Sequence, residues 1–218
     1  NEADVLERAV ENARVFADEI VVVDTGSTDG TKAIAKRVAD KTGEFKWRDD
    51  FAAARNYADS LATCPYKMWL DADDVVPLPS AKAIGKLMRT LDPATDVVML
   101  PYVLARDEFG APKFSYYRER IVRNRADFMW RGRVHEAIAI HGNIIKAKPI
   151  ILHAKPTGRA SGTRNLDIYR KMAAEGHVFE PRETYYYARE LYYNGELDGA
   201  AREFERYLGM RAGYAAND

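Results

Sequence analysis

The chain has 218 residues, 47% of them hydrophobic and 30% charged, enough for one α/β domain of ordinary size with a small appendage. Lys plus Arg and Asp plus Glu number 33 each, so the net charge is zero and nothing in it draws the chain to nucleic acid or an anionic membrane. Cys64 is the only cysteine, which excludes a disulfide framework and a thiolate zinc site, and no apolar run approaches the ~20 residues of a membrane span.

The chain opens NEADVLERAVENARVF, a helix with Val5, Leu6, Ala9, Val10 and Ala13 on one face and Asn1 and Asp4 placed as a capping pair. Residues 20–23 are a short continuous apolar run, the pattern of a strand covered on both faces. The run stops at Asp24, and the loop DTGSTDG follows at once. Gly26 and Gly30 permit turns there, and Ser27, Thr28 or Asp29 can cap a helix over 31–41. In open α/β sheets the ligand crevice lies outside the carboxyl ends of the strands. The loop therefore reads in two ways: as a helix cap, or as the rim of a binding site.

GEFKWRDDF (43–51) predicts a short strand running into a helix that Asp49 or Asp50 caps and that carries Ala52, Arg55, Asn56, Ala58 and Leu61. YKMWLDADD (66–74) predicts a second apolar strand ending in acids, parallel to the first and opening on the same rim. In extended backbone Asp71 and Asp73 point the same way, and two carboxylates held together suit Mg²⁺ or Mn²⁺. The plainer reading is a turn with a helix cap, where Asp is common. A helix with Ile84, Leu87, Met88 and Leu91 follows, then a strand within 96–110, antiparallel strands within 113–125 and 128–140, and a last strand within 148–155.

Three features of this β-rich part are candidate chemistry. Arg118, Arg120, Arg123, Arg125, Arg131 and Arg133 crowd together, as a solvated hairpin or a site for an anionic ligand. His135 and Glu136 are adjacent after a glycine. His153 ends an apolar strand, where a histidine is more often structural than a ligand. After a Gly/Ser/Thr-containing break at 158–162 the chain turns helical. Two helices pair across Asn194-Gly195, with small residues at Ala188, Gly199, Ala200 and Ala201, and resemble one tetratricopeptide helix pair that packs on the main domain.

VVVDTGSTDGT, DDFAAARNYA, WLDADD, GRVHE and ILHAK, in this order, resemble the family 2 glycosyltransferases with the GT-A fold. The likeness extends over nearly the whole chain and is strongest to the bacterial subgroup that includes lipopolysaccharide-core glucosyltransferases and proteins with attached tetratricopeptide repeats. The resemblance implies a GT-A-like nucleotide-sugar-binding catalytic domain over 1–157 and a helical, tetratricopeptide-like segment over 158–218. It implies an inverting, metal-dependent transfer of a sugar from a nucleotide-sugar, a UDP-sugar first, to a glycan, lipid-linked glycan or protein. On it, Asp24, Thr25, Ser27, Arg55 and Asp71 bind the nucleotide, and Asp73, Asp71 and His153 hold Mn²⁺ or Mg²⁺. Glu136 is the catalytic base, and His135 orients it or touches the phosphates. Relatives begin with an apolar strand ending in a KNE-like sequence; this chain starts at NE, so that first strand is expected to be missing from it. A cytoplasmic place fits a cytosolic donor, with the acceptor at the inner face of the membrane and a protein partner on the C-terminal helices. Two rivals remain: a sugar nucleotidyltransferase, although no glycine- and basic-rich loop is seen near the start, and an idle GT-A-like domain that displays its helices to a partner.

Overall fold

The structure, a computed structural model, describes residues 1–154 and 162–210. The expected 157/158 boundary, and all but the last residue of the break at 158–162, lie outside the described residues. In chain order the elements are α1 (Leu6–Ala13), β1 (Val21–Asp24), α2 (Thr31–Val38), β2 (Lys41–Glu44), α3 (Phe51–Leu61), β3 (Tyr66–Met68), β4 (Asp74–Val75) and α4 (Leu78–Thr90). Then follow β5 (Val97–Arg106), β6 (Pro112–Arg123), β7 (Trp130–Arg131), β8 (Ala137–Ile138), β9 (Ile144–Lys146), β10 (Ile151–His153), α5 (Arg164–Ala174), α6 (Pro181–Tyr193) and α7 (Leu197–Leu208).

The chain divides into two compact units. The first is Asn1–Arg48, Ala53–Trp130 and Ile138–Arg159; the second is Asp49–Ala52, Arg131–Ala137 and Ala160–Asp218. The helical unit thus includes two short stretches from within the expected α/β segment.

In the first unit, Leu6 and Val10 of α1 pack with Ile20 and with Ala35 of α2. β1 and β2 pair in parallel, from Val21 opposite Lys41 to Asp24 opposite Glu44. The helix expected over 31–41 stops at Val38 because the Ile20 carbonyl accepts the amides of Asp40 and Lys41, at 3.0 and 3.1 Å, and draws the chain into β2. Asn1 does not cap α1. Its side-chain oxygen instead accepts the Thr28 amide at 2.7 Å, and the Glu2 amide donates to Thr31 Oγ1 at 2.8 Å, so the NE pair braces the DTGSTDG loop. α1 begins at Leu6, after Val5 at the N-cap position, without a side-chain cap.

A larger mixed sheet runs β3-β6-β5-β10-β4, with β9 also on β5. β5 and β6 form a long antiparallel hairpin, and β9 and β10 join β5 in parallel. Val98, Leu100, Tyr102, Ile121 and Ile151 of this sheet make a core with Val76 and with Ala81 and Ile84 of α4. The apolar run of 66–74 is not one strand. β3 ends at Met68 and pairs antiparallel with β6, and a turn precedes β4. The expected parallel pairing beside β1 is replaced because the outer edge of the hairpin supplies a ready antiparallel ladder.

In the second unit α6 begins at Pro181 with a capping box between Glu180 and Glu183. It packs on α7 around Leu191 and Ala200, with Leu166 of α5 in the same cluster. The Asn194-Gly195 turn separates the two helices, as the sequence predicts; Gly195 adopts φ +81°, open to it for want of a side chain.

Candidate metal and nucleotide site

Asp24 is the most buried residue of β1, while the three valines before it are only half-buried. Its carboxylate turns back on its own loop and accepts the amides of Gly26 at 2.9 Å and Ser27 at 3.0 Å, with Lys32 at 3.8 Å. Burial pushes its carboxyl up, but Ser27, Gly26 and Lys32 outweigh this and hold it below the ordinary carboxylate value. Asp24 therefore shapes the loop. Thr25 is exposed on it and Ser27 half-exposed.

Asp71 and Asp73 do not lie on one face of an extended strand. The Asp74 amide donates to the Asp71 carbonyl at 2.9 Å and closes a turn. Asp71 accepts from Arg55 Nη2 at 2.8 Å, whose guanidinium lies 4.9 Å from the Trp69 ring centre and 4.8 Å from that of Trp130. Two tryptophans and a carboxylate thus fix Arg55 beside the acids.

The groups brought together for a cation are Asp73, Asp74 and His153, whose ligand atoms lie within 4.8 Å of one another. The sheet creates this meeting: β10 runs antiparallel to β4 with His153 opposite Asp74. Asp74 is completely buried and anchored. It accepts from Arg120 Nη1 at 2.9 Å, the Tyr102 hydroxyl at 2.8 Å and the Asp71 amide at 3.1 Å. Burial pushes its carboxyl up, yet His153, Arg120 and these hydrogen bonds keep it below the ordinary value.

The Tyr102 oxygen is also 2.8 Å from His153 Nδ1. A phenol has one proton. With that proton given to Asp74, the second bond has His153 Nδ1 donate to the phenol oxygen, an assignment made from the network. The Asp74 carboxylate, 3.8 Å from Nδ1, raises the imidazole pKa as an ion pair rather than by direct hydrogen bonding; burial opposes it and Asp73 adds to it.

The Asp73 carboxylate accepts no hydrogen bond from another residue among those described; its nearest cationic group is His153 Nδ1 at 3.9 Å. Burial pushes its pKa up, and Asp71 and Asp74 push it further, against His153. A half-buried acid with two acidic neighbours and no donor from another residue is what a divalent cation relieves, and two carboxylates with an imidazole are a donor set for Mn²⁺ or Mg²⁺. The residues fit the metal.

The sequence does not single out Tyr102, Arg120 and Asp74 as site residues. Asp74 stands beside Asp73, and Arg120 stands in the arginine cluster, so a signal is present for both. Most of that cluster is paired with acids, and Arg125 and Arg131 are exposed. Arg118 pairs with Glu119 at 3.0 Å, Arg123 with Asp96 at 3.4 Å, Arg125 with Asp127 at 2.6 Å and Arg133 with Glu175 at 2.7 Å.

His135 and Glu136 belong to the second unit. His135 adopts φ +51°, a left-handed conformation that costs a bulky residue about 1–3 kcal/mol. Its Nε2 donates to Glu190 Oε1 at 2.7 Å, and its ring stacks on Tyr186 at 4.1 Å. Burial pushes the Glu190 carboxyl up, but the bond from His135 holds it below the ordinary value.

A mixed sheet flanked by helices, with acids delivered beside a strand-end histidine, is the GT-A glycosyltransferase fold. The glycosyl transferase family 2 profile matches residues 1–145, and the chain belongs to that family. A TPR repeat-containing protein of Synechococcus elongatus is 36% identical over 139 residues, 63% of this chain and 33% of that protein. The prophage-derived glycosyltransferase SunS of Bacillus subtilis is 30% identical over 62% of this chain and 32% of its own. The chain spans about a third of the length of these two relatives. The lipopolysaccharide core biosynthesis glycosyltransferase LpsC of Rhizobium meliloti is 26% identical over 86% of this chain and 72% of its own. Among solved structures, the mannosyltransferase PcManGT from Pyrobaculum calidifontis, in complex with GDP-Man and Mn²⁺, shares the fold. Its TM-score is 0.51 at 19% identity, over 100% of this chain and 74% of that one. S. aureus TarS 1–349 in complex with UDP-GlcNAc shares it with a TM-score of 0.51 at 16% identity, over 87% and 69%.

Proposed function

We propose that this domain is an inverting, metal-dependent glycosyltransferase that moves a sugar from a nucleotide-sugar, a UDP-sugar first, to a glycan, lipid-linked glycan or protein acceptor. The observation that carries the reading is the Asp73–Asp74–His153 cluster beside the Asp71–Arg55 pair in a family 2 domain. Neighbours solved with GDP-Man and Mn²⁺ and with UDP-GlcNAc support the donor class, and the name of LpsC supports a cell-envelope glycan as acceptor.

When bound at Asp73, Asp74 and His153, the metal supplies positive charge against the diphosphate that leaves. The remaining work belongs to the chain. The loop braced by Asp24 presents Thr25 and Ser27 to the nucleoside. Asp71 and Arg55, held between Trp69 and Trp130, meet the ribose and the base or phosphates. Glu136, assigned by the GRVHE motif, takes the proton of the acceptor hydroxyl as that oxygen bonds to the anomeric carbon. The bond to the diphosphate breaks on the opposite face, which inverts the configuration. The place of action fits the cytoplasm or the inner membrane surface, and no helix among the described residues is long and apolar enough to cross a membrane. Tyr192 and Tyr193, exposed on α6, and Leu197 and Leu208, exposed on α7, support a protein-facing surface there.

Calorimetric titration of UDP with and without Mn²⁺, on wild type and Asp73→Ala, tests the reading. The expected result is manganese-dependent binding that the substitution abolishes. Equal binding by the two proteins removes Asp73 from the site. Absence of binding by UDP and GDP alike to wild type overturns the donor assignment.

A further inference from the structure

The GRVHE loop is built by the helical tail. Residues 49–52 and 131–137 are the two stretches that cluster with 160–218. They also hold Asp49 and His135, the two non-glycine residues with positive φ among the described residues. Each is tied to the helices: Lys171 of α5 reaches Asp49 at 2.6 Å, and the Phe51 amide donates to the Arg133 carbonyl at 2.9 Å, while Arg133 pairs with Glu175.

His135 is gripped at three points. The Arg182 guanidinium donates to its main-chain carbonyl at 3.1 Å, Tyr186 covers its ring, and Glu190 accepts from its Nε2. Asn165 of α5 donates to the same Glu190 oxygen at 3.3 Å and helps fix the carboxylate. Arg182, Tyr186 and Glu190 follow at four-residue spacing and so share one face of α6. An unfavourable backbone conformation persists only where its surroundings over-determine it, and here the surroundings are that face. Glu136 is the next residue along the chain, so the direction in which it leaves the loop is set by the φ and ψ of His135.

We infer that Glu190, with Arg182, is a positioning residue for the catalytic base: α6 clamps His135 in its left-handed conformation and thereby aims Glu136. The inference rests on the glycosyltransferase reading and on Glu136 as its base. It gives α6 a role in placing the catalytic base.

The test reads release of nucleoside diphosphate from UDP-glucose, UDP-N-acetylglucosamine and GDP-mannose with Mn²⁺, water serving as acceptor. Glu136→Gln is expected to lose at least about 100-fold in kcat. Glu190→Ala is expected to lose about 100-fold in kcat while the protein stays folded and its UDP affinity is unchanged, because a base misplaced by about 1 Å carries that penalty. Glu190→Gln still accepts from His135 and is expected to stay within about threefold of wild type. A folded Glu190→Ala protein with wild-type kcat overturns the inference while the enzyme reading stands. So does a fully active Glu136→Gln protein. If Glu190→Ala does not fold, Arg182→Ala, which removes only the grip on the carbonyl, decides on the same criterion. Wild type that releases no diphosphate from any of the three donors fails the enzyme reading itself, and the inference with it.

Discussion

Arg120 is the most exacting residue of the first unit. Its side chain is fully buried, with one nitrogen on Asp74 and its guanidinium 3.7 Å from the Trp69 ring centre and 4.2 Å from that of Tyr102. Its Nε and Nη2 have no hydrogen-bond partner and lie among those aromatic faces. Removing one partner of a buried ion pair strands the other charge, at about 3–5 kcal/mol. Arg120→Met, which keeps volume and loses charge, is therefore expected to lower the urea midpoint by an amount in that range. Arg120→Met combined with Asp74→Asn should cost less than the two single changes added, since the second change removes the stranded charge. Additive losses would show that the pair contributes no coupling.

At the scale of an element, the turn before β9 decides how that strand reaches β5. Gly142 adopts φ +78°, which an L side chain resists, and a Cβ there would collide with the Asp96 carboxylate. That carboxylate is already engaged: Oδ1 by Arg125 at 3.1 Å and Oδ2 by the Asn143 amide at 2.9 Å. Relief of the collision breaks the anchor that sets Ile144 opposite Val97. Gly142→Ala is expected to cost about 1–3 kcal/mol in chemical denaturation, from strain and overpacking together. Gly110, also at positive φ but with open space around its missing side chain, is the control. Its alanine variant carries the backbone strain alone and should lose less.

At the scale of the molecule, the first unit carries its own reporter. All three tryptophans, Trp47, Trp69 and Trp130, belong to the first unit, which also holds the candidate metal ligands. Tryptophan fluorescence therefore follows that unit alone. A ligand that binds only the folded state stabilises it by mass action, by about 2.7 kcal/mol at 100 times its dissociation constant. Mn²⁺ is expected to raise the fluorescence-detected unfolding midpoint, EDTA to reverse the rise, and Asp73→Ala to abolish it. A rise that survives Asp73→Ala would place the cation elsewhere. Glu190→Ala, in the other unit, should leave the manganese effect intact.

The sequence by itself determined the parts whose cause is local. Apolar runs that stop at acids mark β1 and the approach to the metal turn, and the 3.6-residue pattern marks α1, α4 and the α6–α7 pair. Five short motifs in order identify the family. Asp73 and His153 are both legible as candidate ligands, although they lie far apart along the chain. Only the tertiary structure decided which groups face one another. Asp71 turns to Arg55 because a turn, not a strand, carries it, and the third group beside Asp73 and His153 is Asp74, brought there by the register of β10 on β4. Asp24 turns back on its own loop, where it accepts the amides of Gly26 and Ser27. Arg120, Arg123 and Arg133 of the arginine cluster meet Asp74, Asp96 and Glu175 from other parts of the chain, and the GRVHE loop is held by helices that begin well after it. Each of these outcomes depends on ladder register or packing between segments far apart in sequence, and local composition and periodicity carry no record of those pairings.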